Sequence, residues 1–320
     1  MAGVFGAYYH VLPFPHNGAR FKAKPRGKLR IDYNEKNIGY NKLRETLLAI
    51  GDTVEIEIDP NNPDTYIITA VDKRRNSIHR ASFGRQQCIA ANVDGVVVMA
   101  SIRSPDFNLG FVERCLAEIQ IAGVDVILIV NKFDLISEPD TENEKIFTYY
   151  KKIGLQVFCE SIQRGLSPEL KARLSAGTWL LLGQSGTGKS TLLNKLLGED
   201  LQVVGEVSLI DKGRHTTTNP ALYFSPSHAN LILIDVPGLR EFGMHHREPL
   251  EIRHGFSDFA ELQCRFENCL HLNEPGCGVK AALEAGEIPE FRYRCYVSML
   301  DTVGENFKPR KGDYWRGIRK

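Results

Sequence analysis

No stretch of this 320-residue chain is apolar over the roughly 20 residues needed to cross a bilayer, so no membrane partner is expected. The start, Met1-Ala2-Gly3-Val4-Phe5, has no charged leader ahead of a clean apolar core, and Pro13 and Pro15 interrupt the residues after it. Charge of one sign is lacking too. Lys and Arg total 40 against 39 Asp and Glu, a formal net charge of +1, so any nucleic-acid surface must be a local patch and not a global field. A cytoplasmic protein is expected. The seven cysteines are an odd count, and three of them cluster with a histidine, which in a reducing compartment points to metal binding over disulfides. What remains is ordinary for a globular chain of two or three domains: 42% hydrophobic and 25% charged residues.

The chain is organised around residues 179–198. Trp179-Leu180-Leu181-Leu182 reads as a short apolar strand, and the leucines of 192–197 come next at helical spacing up to Gly198, where a helix should stop. Between them stands Gly183-Gln184-Ser185-Gly186-Thr187-Gly188-Lys189-Ser190-Thr191, the G-x-x-x-x-G-K-S phosphate loop. Its glycines let successive N–H groups point at one anion, and the helix after it adds its positive end. Lys189 can reach the outer phosphates and Ser190 can ligate Mg²⁺.

A second motif lies upstream. The apolar run 126–130 leads into Asn131-Lys132-Phe133-Asp134, the guanine-reading Asn-Lys-x-Asp. Asp134 offers two acceptor oxygens to the ring N–H and amine of guanine, where adenine presents an acceptor instead. A site built to pair such donors rejects the analogue lacking them by roughly 10⁴ or more. The stem of Lys132 can cover the base. Downstream, Asp235-Val236-Pro237-Gly238 supplies an acid for water-mediated Mg²⁺ contact and, at Gly238, an N–H for the third phosphate. Between the phosphate loop and Asp235 lies Lys212-Gly213-Arg214-His215-Thr216-Thr217-Thr218. One of its threonines, with Thr217 as the candidate, can close on Mg²⁺ and order the loop.

This order is reversed relative to an ordinary GTPase, where the phosphate loop precedes Asn-Lys-x-Asp. A single site can still close if the chain is circularly permuted, because the termini of a compact domain often lie close together. The residue after Asp-x-Pro-Gly is Leu239, where a water-orienting Gln stands in Ras-type enzymes, and Leu cannot polarise water. His215 is the nearest competent group in sequence, and slow turnover without a partner is expected.

The flanks differ in character. Thr53-Val54-Glu55-Ile56-Glu57-Ile58 alternates as a half-buried strand, 59–64 are turn residues, and 66–71 resume strand character, giving a small all-β domain of the oligonucleotide-binding barrel type. Arg20, Lys22, Lys24, Arg26, Lys28 and Arg30 occupy alternate positions, so an extended chain would line them on one side as a phosphate-contacting surface. Pro25 restricts that stretch to an edge strand or a loop. From about residue 91, apolar strands alternate with helical patterns, as in a doubly wound parallel sheet, and the acidic run 138–144 reads as a solvated helix start. Cys264, Cys269, His271 and Cys277 form a closed Cys₃His set suited to structural Zn²⁺, whereas Cys88, Cys115, Cys159 and Cys295 read as core residues. Two segments after the cysteines, 279–285 and 292–300, look helical. Cations at Lys308, Arg310, Lys311, Arg316, Arg319 and Lys320 surround Tyr314 and Trp315, a composition suited to RNA.

Taken together, these motifs resemble the small ribosomal subunit biogenesis GTPases of the RsgA (YjeQ) type. Besides the loops above, the likeness rests on Arg26-Gly27-Lys28-Leu29, Gly51-Asp52-Thr53-Val54 and Ala90-Ala91-Asn92-Val93-Asp94. It implies an oligonucleotide-binding barrel (residues 1–83), a circularly permuted α/β P-loop GTPase domain (84–243) and a small helical zinc-binding domain with a basic tail (244–320). It further implies contact with 16S rRNA on the 30S particle during late maturation, GTP hydrolysis stimulated by that particle, and a catalytic role for His215. GTP or GDP is the expected ligand, with one Zn²⁺ and Mg²⁺; a monomer with no DNA partner is expected. The family's fifth nucleotide motif falls on Cys159-Glu160 or on Ser161-Ile162. Two other readings compete: an ATP-using P-loop enzyme, and a guanine-nucleotide switch that binds RNA without hydrolysis.

Overall fold

The computed structural model describes residues 3–5, 8–13, 20–27, 48–82, 85–138, 140–198, 203–204, 221–225, 230–236, 242–244 and 246–303. Its first sheet contains β1 (Gly3–Phe5), β2 (Tyr8–Val11), β3 (Phe21–Pro25), β4 (Val54–Asp59) and β5 (Asn62–Val71). The strand order is β1-β2-β3-β5-β4, with β3 and β5 parallel and the other neighbours antiparallel. The chain thus skips from β3 to the far edge and returns between, which is the order of an oligonucleotide-binding barrel. Val11, Ala23, Leu48 and Ile68 form its core.

Three readings need correction here. Pro25 lies on an interior strand and not an edge: it is the last residue of β3, and the ladder resumes when the Arg26 N–H donates to Ile68 O at 3.0 Å. The missing donor is tolerated because the strand ends there. The turn between β4 and β5 is shorter than the composition of 59–64 suggests, since β5 already begins at Asn62. The ladder of β4 shifts register between Glu55 and Ile56 and again between Ile58 and Asp59, and the alternation breaks at the second shift. Ile58 turns outward, 62% exposed, and Asp59 turns inward to meet Lys24 Nζ at 2.5 Å. Of the basic series, Lys22 lies over the Tyr8 ring at 4.2 Å, and Arg20 and Arg26 are exposed. Lys28 and Arg30 fall outside the described residues.

A hairpin of β6 (Ser77–Ser82) and β7 (Arg85–Ala91) leads from the barrel to the central sheet. Next come β8 (Gly95–Ser101), α1 (Leu109–Ile121), β9 (Asp125–Asn131), α2 (Thr141–Lys152), β10 (Gln156–Cys159), α3 (Pro168–Arg173), β11 (Gly177–Gly183), α4 (Lys189–Leu197), β12 (Val203–Val204), β13 (Ala221–Phe224) and β14 (Leu231–Asp235). These strands form a seven-stranded sheet ordered β10-β9-β8-β11-β14-β13-β12, parallel from β10 to β14 and antiparallel beyond.

Every residue of β8 is buried, as a strand covered on both faces requires. Val96, Val98 and Ala100 face the α1–α2 side, with Phe111, Val112, Cys115 and Phe147. Val97 and Met99 face the α3–α4 side, with Leu170, Leu192 and Leu196. Helix starts obey local chemistry. Asn108 Oδ1 accepts from Phe111 N at 3.0 Å to cap α1, and Asp140 caps α2 with Glu142 and Glu144 in its first turn, so the acidic run is indeed a helix start. Helix α4 stops at Gly198, φ +78°. Cys88 and Cys115 are buried, but Cys159, read as a core residue, is exposed at the end of β10.

The C-terminal module holds α5 (Pro249–His254), α6 (Ser257–Ala260), α7 (Gly278–Glu284) and α8 (Glu290–Thr302) around Phe256, Phe259, Tyr296 and Leu300. It docks on α1. Gly255 sits so close to Ala117 that an added Cβ would stand 2.8 Å from the Ala117 Cβ. Arg292, buried, meets Glu113 and pairs with Asp258 at 2.7 Å, and its guanidinium lies 4.2 Å from the Phe256 ring centre. Among the described residues, no helix is long and apolar enough to cross a membrane.

Candidate nucleotide site and metal cluster

The sheet places its chemistry at one edge. The carboxyl ends of β8, β9, β11 and β14 lie side by side, with Gly183 in register with Met99, Ser101 with Asn131, and Leu181 with Asp235. Open α/β sheets bind ligands outside the carboxyl ends of their strands.

Asn131 joins the two motifs that are far apart and reversed in sequence. Its Nδ2 donates to Thr187 O of the phosphate loop at 2.9 Å, and its Oδ1 accepts from Ile162 N at 3.0 Å. The side chain is buried, so both bonds are sheltered from water. Gly188 makes the approach possible. Its φ is +104°, and a Cβ there would stand 2.2 Å from Asn131 Nδ2; no other residue type both adopts that backbone and leaves that space. Within the loop, Thr187 Oγ1 donates to Gln184 O at 2.9 Å, while Ser185, Gly186 and Ser190 face solvent.

Lys189 Nζ donates to Gly183 O at 2.6 Å and Gln184 O at 3.1 Å. Burial pulls its pKa below the usual ammonium value, against the opposing pull of the nearby, buried Asp235 carboxylate. An ammonium so placed gains most from an anionic ligand that restores the solvation it has lost.

On the base side, Lys132 takes a left-handed backbone, φ +63°, and its ammonium donates to Ser104 O in the loop after β8. Asp134 N donates to Ser161 Oγ at 3.0 Å, and its carboxylate stands 3.6 Å from Arg164. Phe133 points its ring toward Phe147 at 6.4 Å, so the variable position of the motif is a packing residue. Both candidates for the fifth element touch the motif: the Phe133 N–H donates to Glu160 O at 3.1 Å, and Ser161 and Ile162 meet Asp134 and Asn131. The Glu160 side chain turns to Ser167, the cap of α3. Ser104 carries no motif of its own, and only its nearness in space to Lys132 reveals it. His215, Thr217 and Gly238 lie outside the described residues, as do Thr216, Thr218 and the basic tail.

A model of the RsgA GTPase family matches residues 71–245. The chain belongs to the RsgA GTPase family. It is similar to the small ribosomal subunit biogenesis GTPase RsgA of Bordetella pertussis strain Tohama I, with 40% identity over 79% of this chain and 84% of that protein. It is also similar to the crystal structure of YjeQ from Thermotoga maritima, with a TM-score of 0.63 and 28% identity over 88% of this chain and 89% of that one. The crystal structure of YloQ, described as a circularly permuted GTPase, aligns with a TM-score of 0.62 and 26% identity over 97% and 95% of the two chains. As a member of the RsgA GTPase family, the protein is a GTP-hydrolysing enzyme with the permuted sheet described above.

The cysteine cluster is a candidate metal centre. Cys264, Cys269, His271 and Cys277 bring their ligand atoms within 4.8 Å of one another. Cys264 Sγ stands 3.9 Å from Cys277 Sγ, and His271 Nδ1 stands 3.4 Å from both. His271 reaches in through a left-handed backbone, φ +59°. Burial pushes its imidazole down to about 4, leaving a neutral ring with a free lone pair at neutral pH. Burial raises the Cys264 thiol, but the N–H groups of Gly278 and Val279 together with hydrogen bonds to the Cys269 and Cys277 thiols outweigh it and hold the thiol below its usual value. Around the cluster, the Glu274 carboxylate accepts the N–H groups of Leu270, Leu272 and Asn273, and the Tyr293 and Tyr296 hydroxyls donate to His271 O and Leu270 O. These bonds fix the course of the loop that carries Cys269 and His271.

Proposed function

We propose that this GTP-hydrolysing enzyme acts on the small ribosomal subunit late in its maturation, binding 16S rRNA and using hydrolysis to time its own release. Asn131 carries the reading, because its bonds to Thr187 and Ile162 make one pocket out of the base-reading and phosphate-binding segments. Asp134 reads the guanine edge, Lys132 covers the base, and the loop Gly183, Gln184, Ser185, Gly186, Thr187, Gly188 wraps the phosphates with its N–H groups. Lys189 leaves its two carbonyl partners for the outer phosphates. Ser190, Thr217 and Asp235 would hold Mg²⁺, which when bound neutralises charge on the phosphate oxygens. Thr191 continues the helix behind Ser190, and the Gly238 N–H meets the third phosphate. His215 holds the attacking water, a task that Leu239 cannot perform.

The donor set at Cys264, Cys269, His271 and Cys277 suits structural Zn²⁺. Tetrahedral zinc with ligand bonds of about 2.0–2.3 Å requires S–S edges of about 3.8 Å and S–N edges of about 3.5 Å, close to the 3.9 and 3.4 Å found. Modules at 1–83, 84–243 and 244–320, a monomeric state and a cytoplasmic location complete the reading. Barrel cations such as Lys22 and Arg26 supply salt-dependent contact with rRNA.

GTP turnover with and without purified 30S particles tests this. Turnover that rises on adding particles is expected. Nucleotide binding with no phosphate release in either condition would favour a non-hydrolysing switch, and equal displacement of labelled GTP by ATP would favour a general P-loop ATPase.

A further inference from the structure

Strand β8 is apolar as far as Ala100, yet its last residue is Ser101, buried and in register with Asn131. A buried hydroxyl needs a partner. Ser101 Oγ finds one across the turn that follows, donating to Pro105 O at 2.7 Å. The Ile102 N–H donates to Asn131 O at 3.0 Å, so the turn starts from the residue that joins the two halves of the nucleotide site.

Inside this turn stands Ser104, with φ +53°. Among the described residues, four that are not glycine have a positive φ, and two of them, Ser104 and Lys132, bond to each other: the Lys132 ammonium donates to Ser104 O. Such backbone is unfavourable for a residue with a Cβ and persists where the surroundings over-determine it. Here the bonds from Ser101 and to Asn131 fix the turn from the strand ends. Lys132 thereby gains a tether. Its long stem would otherwise rotate freely, and that freedom would be lost only when a ligand binds. The turn borders the phosphate loop without pressing on it, since a Cβ added to Gly186 would stand 3.5 Å from Pro105 Cδ, an ordinary contact.

We propose that Ser101 is a positioning residue for the base: by holding the turn at 102–105, it aims the Ser104 carbonyl that keeps the Lys132 stem in place over guanine. This rests on the reading that Lys132 covers the base. Among the described residues, the Ser101 side chain hydrogen-bonds to Pro105 O alone, so its reach to the base runs through the turn.

The test uses the full-length parent, Ser101→Ala, Lys132→Ala and the double variant. The dissociation constants of GDP and of inorganic pyrophosphate, and the melting temperature, are measured for each. Ser101→Ala should weaken GDP about three- to tenfold, the range expected when one long side chain loses its pre-organisation. Pyrophosphate has no base to cover, so its affinity should stay within about twofold. In the Lys132→Ala background the same change should cost GDP less than about twofold, because the side chain it acts through is gone. Unchanged GDP affinity in Ser101→Ala, an equal loss in both backgrounds, or pyrophosphate weakening in step with GDP would overturn the proposal. If Ser101→Ala fails to fold, Ser101→Cys, which fills the same place with a weaker donor, runs the same cycle. Lys132→Ala protein that binds GDP like the parent refutes the base-covering reading itself; failure of the proposal alone leaves Lys132→Ala weakened.

Discussion

Replacing Asn131 with Ala removes a donor and an acceptor that nothing else in the pocket can supply. Thr187 O and Ile162 N, bonded at 2.9 and 3.0 Å, are left without these partners in a buried place. Each orphaned group costs about 1–3 kcal/mol, so the pair costs about 2–6 kcal/mol. The cost divides between folding and ligand binding, because bound phosphate needs the loop in the shape that Asn131 holds. If half of it, about 3 kcal/mol at the upper end, falls on binding, GDP affinity drops roughly 100-fold. Titration of a fluorescent GDP analogue, with melting curves on the same samples, reads both parts. Asn131→Asp sharpens the test. It keeps the acceptor for Ile162 N but turns an oxygen toward Thr187 O, so it should bind nucleotide weakly even though its shape is unchanged. Asn131→Ala protein that binds GDP as tightly as the parent would refute the bridging role.

His215→Ala should keep GDP affinity within about twofold while losing particle-stimulated hydrolysis, a split expected of a group used in the transition state and not in the ground state; unchanged stimulated turnover would remove His215 from the chemistry. Stripping metal with a chelator, or making Cys277→Ser, should open the C-terminal module to proteolysis, since a structural zinc contributes about 10–16 kcal/mol of apparent folding energy in small domains. GDP affinity should then change by less than about threefold, because among the described residues no cluster residue bonds to the phosphate loop; full protease resistance after metal removal would contradict a structural ion.

The phosphate loop, Asn131-Lys132-Phe133-Asp134 and the Cys₃His set were legible because each compresses its chemistry into a few adjacent residues whose types leave little choice. The permutation was legible from motif order alone, and the sheet order β10-β9-β8-β11-β14-β13-β12 explains why it closes: β8 and β11 pair directly, so the two halves of the site meet at one sheet edge. Barrel details were not legible. Ile58 and Asp59 exchange faces because a register shift intervenes, and no local alternation reveals a shift set by a partner strand. Pro25 escaped the edge-strand rule by standing at a strand end. Glu113 and Glu118 read as ordinary helix residues, since what makes them buried is Arg292 and Arg247, far along the chain. Cys159 shows the converse, an apolar-looking residue that the end of a strand leaves exposed.

The most direct measurement is base selection by Asp134. Guanine offers two donors to its carboxylate; xanthine carries an oxygen where guanine has the exocyclic amine, so an Asn at this position suits xanthine instead. For Asp134→Asn we expect GDP affinity to fall at least about 100-fold, and xanthosine diphosphate to bind more tightly than GDP. If Asp134→Asn holds GDP as the parent does, or if ATP competes with GTP equally in the parent, residue 134 does not face a guanine base, and the segments that Asn131 joins do not form a guanine-nucleotide pocket.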